Sequence, residues 1–199
     1  MDRGPRRAAT SGPAIGSEQV GTAVDLLARE MSETFHDMRS RLHGLSEDEF
    51  FWEPISGTWT VFRDENGRWD HHYAEPDPDP TPFTTIAWRL THLAMCKVMY
   101  HEHAFGPGEL TWLTIETPGS PGDAIEMLDR GHALLTEDLA ASTDADLDRP
   151  VMTNWGEEWP AWRIFWEMIH HDAHHGGEIG ALRDLYRAIR ADGSDRGAG

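Results

Sequence analysis

The sequence predicts an all-α protein, a four-helix bundle with a long loop between helices one and two. Three observations carry this expectation. Apolar residues recur at steps of three and four in four separate stretches. No stretch alternates apolar and polar residues convincingly enough to mark a half-buried strand. A length of 199 residues supplies one packed core and hardly two.

The first stripe is Val20, Val24, Leu27, Met31, Phe35, Met38, Leu42 and Leu45, ended near Gly44. Residues 46–82 then hold Trp52, Pro54, Gly57, Trp59, Gly67 and a proline-rich run from Glu75 to Pro82. Fixed φ angles and missing amide donors forbid a long helix there. We expect a long, partly ordered connection, with a weakly signalled hairpin around Trp59-Thr-Val-Phe62 and Gly67-Arg-Trp69. Its Trp residues suggest that part of it packs onto the helices. Helix two runs from about Thr84 to Phe105, before Gly106-Pro-Gly108. Helix three starts with Ser120 as N-cap, Pro121 in the first turn and Asp123 facing the free amides. Helix four follows Trp159-Pro160 and ends near Arg190. The domain expectation is a tail over 1–16, one helical domain over 17–191, and a second tail over 192–199.

Charge bounds the partners. With 35 acidic against 17 basic side chains, the net charge of −18 repels phosphate backbones and anionic lipid headgroups. Nucleic acid and membrane surfaces are therefore excluded as expected partners, and no stretch reaches the roughly 20 apolar residues that cross a bilayer. Residues 1–16 lack the apolar run of a signal peptide. Cys96 stands alone, which precludes an intramolecular disulfide and fits a reducing, cytoplasmic setting.

His170-His171-Asp172-Ala173-His174-His175 carries two overlapping i,i+4 histidine pairs. Either pair could chelate an ion, so helical phase must discriminate. His171 and His175 continue the apolar stripe of Ile164, Met168, Ile179 and Leu182, whereas His170 and His174 lie about 100° around the helix. The first pair is expected inside, the second at the rim or in solvent. Two stacked imidazoles among Met, Ile and Leu are hard to satisfy by hydrogen bonding, and one divalent ion satisfies both. His92, mid-helix on the face of Trp88, Met95 and Met99, is the candidate third ligand. His132, on the stripe of helix three, competes with it, or is an ordinary core histidine. His71 and His72 are expected to be exposed in the loop, and His101 and His103 in a solvated helix end.

The segments Thr91-His92-Leu-Ala and His171-Asp-Ala-His-His175-Gly-Gly177-Glu-Ile-Gly-Ala-Leu-Arg183 resemble the DinB/YfiT-like superfamily, which includes bacillithiol- and mycothiol-dependent transferases. The resemblance spans roughly residues 20–190 and takes in Leu45-Ser-Glu-Asp-Glu-Phe-Phe-Trp52 and Gly57-Thr-Trp59-Thr-Val61. It implies a divalent ion, zinc or nickel, on His92, His171 and His175. It further implies a low-molecular-weight thiol cosubstrate, held as thiolate, that attacks a small electrophile. Three imidazoles leave a coordination position open, as in catalytic sites.

Glu178, one turn after His175, could act as a base or orient a ligand, or be a solvated or salt-bridging carboxylate. Cys96, one turn after His92, could supply a fourth ligand or merely fill space. Two rivals use other residues. A di-iron centre would need Glu33 with His36 and Glu167 with His170, both off their apolar stripes. A zinc protease would need a third ligand downstream of His175, which the sequence does not offer. The remaining alternative is a non-catalytic metal- or small-ligand-binding bundle. Trp155, Trp159, Trp162 and Trp166 mark a surface on which a homodimer could form.

Overall fold

A computed structural model describes residues 21–76 and 78–195. The tail expected over 1–16 lies outside the described residues, as do residues 196–199 of the tail expected from 192. The described chain is mostly helical. Four long helices, α1 (Ala23–Ser40), α3 (Ile86–Ala104), α4 (Pro121–Ala140) and α5 (Ala161–Asp195), are joined by a one-turn helix α2 (Glu47–Phe50) and two short hairpins. α5 continues five residues past the expected end at Arg190.

Local chemistry starts the helices where their side chains can pair the first free amides. Thr22 Oγ1 accepts from the Asp25 amide at 3.1 Å and Asp25 Oδ2 accepts from the Thr22 amide at 2.9 Å, a reciprocal cap. Thr85 caps α3 and Ser120 caps α4 one way only, each side-chain oxygen accepting from the amide three residues on, with Pro121 in the first turn of α4.

α1 packs on α5 and α4, and α3 packs on α4 and α5. The apolar interior has two main clusters. One holds Met38, Leu42, Leu90, Leu93, Leu128 and Ile179, and the other Met31, Tyr100, Leu135, Leu139, Phe165 and Met168. Cluster membership orders the helices: α1 and α5 run from the second cluster to the first, α3 and α4 the opposite way. The segment between α3 and α4 must therefore travel back along α3, and its Ile115 is buried with Met95, Val98 and Met99. On α5 the second cluster ends at Met168 and the first begins at Ile179. His171, Asp172 and His175 fall in that interval, so the polar groups occupy a belt between two greasy ends.

The connection over residues 41–85 is more ordered than its prolines suggest. β1 (Val61–Arg63) pairs antiparallel with β2 (Trp69–His71), Val61 opposite His71. Buried Glu49 of α2 takes a two-pronged grip from Arg183 of α5, Nε to Oε1 at 2.7 Å and Nη2 to Oε2 at 3.0 Å. A second hairpin, β3 (Pro150–Met152) with β4 (Glu158–Pro160), delivers the chain into α5. No sequence pattern announces this hairpin, because three-residue strands are too short to display a period of two.

Candidate metal centre

His92 lies mid-way along α3, and His171 and His175 lie on adjacent turns of α5. Their rings converge. Ring centroids are 5.9 Å apart for His92 and His171, 5.2 Å for His92 and His175, and 5.6 Å for His171 and His175. Trp88, one turn before His92, stacks on its ring at 5.0 Å and donates from Nε1 to the His72 carbonyl at 2.7 Å. The loop hairpin is thereby fastened beside the site.

Hydrogen bonds fix which nitrogens face inward. His171 Nδ1 lies 2.9 Å from the Glu167 carbonyl oxygen, which can only accept, so Nδ1 carries the proton. His175 Nδ1 donates to Glu178 Oε2 at 2.8 Å, and Arg89 Nη1 donates to the same oxygen. Neither Nε2 has a hydrogen-bond partner among the described residues. Burial pushes His92 and His175 down to about 3 and also lowers His171. The three rings are neutral at pH 7, with lone pairs to offer.

Three neutral imidazoles are a donor set that could hold a divalent ion. Zinc–imidazole bonds of about 2.0–2.1 Å put tetrahedrally arranged ring centroids roughly 5 Å apart, close to the separations observed. Phase also sorts the pairs: His175 is 9% exposed, whereas the His174 side chain is 56% exposed.

Among the described residues, the sets of three whose donor atoms all lie within 4.8 Å of one another are His92, Cys96 and His171; Glu167, His170 and His171; and His174, His175 and Glu178. The three histidines His92, His171 and His175 together are not one of them. The first group includes the thiol. Cys96 Sγ lies 3.8 Å from His92 Nδ1 and 3.7 Å from Nε2. Near-equal distances put sulfur over the ring face, whereas a sulfur sharing an ion would lie much nearer one nitrogen. Burial pushes this thiol up to about 12, in keeping with an apolar packing role.

The other candidates separate clearly. His132 of α4 stacks on Phe35 of α1, centroids 3.6 Å apart, away from the triad. Glu178 is half-buried between Arg89, His174 and His175. Glu33 and His36 are exposed. His101 and His103 are half-buried rather than solvated, paired with Asp138 at 2.6 Å and the Leu110 carbonyl at 2.8 Å. His71 and His72 are likewise half-buried, because the hairpin lies against α3.

One functional pair escaped the sequence. Asp172, next to His171, is fully buried and accepts from Lys97 Nζ of α3 at 2.8 Å. Burial drives both toward their neutral forms while each charge holds the other. The link sets α5 against α3 beside the histidines. Lys97 is the chain's only lysine, the one signal that could have drawn attention to it.

A protein-family model described as the DinB superfamily matches residues 30–179. The fold is similar to that of a candidate member of the DinB family from Exiguobacterium sibiricum, with a TM-score of 0.56 and 17% identity over 83% of this chain and 94% of that one. It is also similar to a conserved protein from Enterococcus faecalis, with a TM-score of 0.51 and 12% identity over 83% of this chain and 98% of that one. No curated protein matches the sequence. Among the described residues, no helix is long and apolar enough to cross a membrane.

Proposed function

Because this chain belongs to the DinB superfamily, we propose that its four long helices form a four-helix bundle built to hold one divalent ion on His92, His171 and His175. We further propose that it is a metal-dependent thiol S-transferase acting on small electrophiles. The observation that carries the proposal is the convergence of three neutral rings, two of them with Nδ1 pinned outward and Nε2 free.

Zinc or nickel suits three imidazoles, and such an ion lowers the proton affinity of a thiol or water at its open position. The chain's own residues do the rest. His92, His171 and His175 bind. Glu178 holds the proton on His175 Nδ1 and is itself held by Arg89, which makes it a positioning residue rather than a proton-transfer group. Tyr100, backed by Trp155 and Trp159, borders His171 and offers an apolar wall to an electrophile. The lone cysteine agrees with a cytoplasmic setting, and exposed Trp162 and Trp166 on α5 are the surface through which a homodimer would form.

The second reading is a non-catalytic metal- or ligand-binding bundle. It rests on the grouping of His92, Cys96 and His171 donor atoms within 4.8 Å, and it requires Cys96 to leave the His92 ring face and become a fourth protein donor that closes the site. Mixing the metal-loaded protein with cysteine and an activated aryl chloride separates the two. A metal-dependent rate of thioether formation that His92→Ala abolishes supports the transferase. Metal binding without any transfer, across a panel of small thiols, supports the closed site.

A further inference from the structure

The described surface carries a cationic recess. A cleft of about 300 Å³ on the seam between α1 and α5 is lined by Ser40, Arg41, His43, Gly180, Arg183, Asp184 and Arg187. Acidic side chains outnumber basic ones 35 to 17 in this protein, so arginines have every chance to find carboxylates. Around this cleft, however, Arg183 and Arg187 share the one carboxylate of Glu49 and Arg41 has none among the described residues. Among the described residues Arg41 makes no side-chain ion pair or hydrogen bond, and Asp184 makes none with Arg187 despite i,i+3 spacing. Arg187 reaches only Glu49, at 3.8 Å.

Arg183 shows why the recess stays positive. It is buried, neutralises Glu49, and donates from Nη1 to the Arg41 and His43 carbonyls at the end of α1. The two sources of negative charge that would otherwise repel an anion, a carboxylate and the helix C-terminus, are therefore both answered from within. Arg41 and Arg187 remain in excess of Asp184. Gly180 contributes by absence: a Cβ there would lie 3.3 Å from Arg41 Nη1, so the guanidinium would have to give way.

We propose that this cleft binds a phosphate group, gripped by the Arg41 and Arg187 guanidinium forks with His43 at the rim. Planar guanidinium donors match phosphate oxygens two at a time. The proposal is independent of the metal centre.

Calorimetric titration of inorganic phosphate into the full, metal-loaded chain, with ionic strength held constant by chloride, tests it. Saturable one-site binding is expected, weakened at least tenfold in Arg41→Gln/Arg187→Gln and unchanged in Arg68→Gln, which removes an exposed arginine from the hairpin instead. Methyl phosphate titrated in parallel distinguishes the source: tighter binding than phosphate supports an esterified ligand, weaker binding the free ion. Absence of saturable binding overturns the proposal. So does full retention in the double variant, which would put phosphate elsewhere, or an equal loss in Arg68→Gln, which would reduce the effect to net charge.

Discussion

Two pairs of histidines on α5 have the same residue type and the same spacing, yet they live in different worlds. His171 and His175 face α3, where their rings meet that of His92. His170 and His174 stack on each other at 5.9 Å on the outer face, with Trp166 against His170 at 5.6 Å. Spacing makes a chelate geometrically available to either pair, but only the pair whose phase matches the apolar stripe acquires a third imidazole. About 100° of helix rotation divides a buried centre from a solvated rim.

The largest effect of a single substitution on this contrast is expected from releasing the rotation of α5. Lys97→Ala leaves the Asp172 carboxylate buried without its partner and is expected to cost about 3–5 kcal/mol, measured by urea unfolding. Lys97→Met with Asp172→Leu should recover most of that loss. A Lys97→Ala protein as stable as the parent would show that the pair does not lock α3 to α5.

Next comes acid. His92 and His175 are held near 3 in the folded chain, against 6.5 for an ordinary imidazole. The unfolded state therefore takes up their protons first. Stability of the metal-free protein is fully present above pH 6.5 and falls as pH drops from 6.5 toward 3, by up to about 1.4 kcal/mol per pH unit for each ring. His175→Gln should flatten the curve in unfolding measured across that window, and an unchanged slope would mean that the ring is not shielded from water.

A smaller effect is expected at the residue that touches both pairs. Glu178 accepts from His175 Nδ1 at 2.8 Å and lies 3.4 Å from His174 Nε2. Glu178→Gln should weaken metal binding by about 10–100-fold without abolishing it, read by competition with a chromophoric chelator. Complete loss would instead make Glu178 a ligand.

Much of this was legible in the sequence, for reasons of scale. Long stripes such as Met31-Phe35-Met38-Leu42 span several turns, so their period survives local noise, and Ser120-Pro121 announces a helix start by chemistry alone. The inner histidines could be chosen because phase along one helix is arithmetic. What crosses between helices could not. Nothing near Asp172 in the sequence points to Lys97 of α3 as its partner, and the expected exposure of His71 and His72 fails because the hairpin folds against Trp88. Each depends on a partner tens of residues away, which no local pattern encodes.

The central claim is that an ion is held by the inner pair with His92 and not by the outer pair. Metal content measured after dialysis of untagged protein, for His92→Ala, His171→Ala, His175→Ala, His170→Ala and His174→Ala, addresses it directly. The first three variants should lose nearly all bound metal while the last two retain it. Equal retention across all five, or loss concentrated in His170→Ala and His174→Ala, would contradict the account.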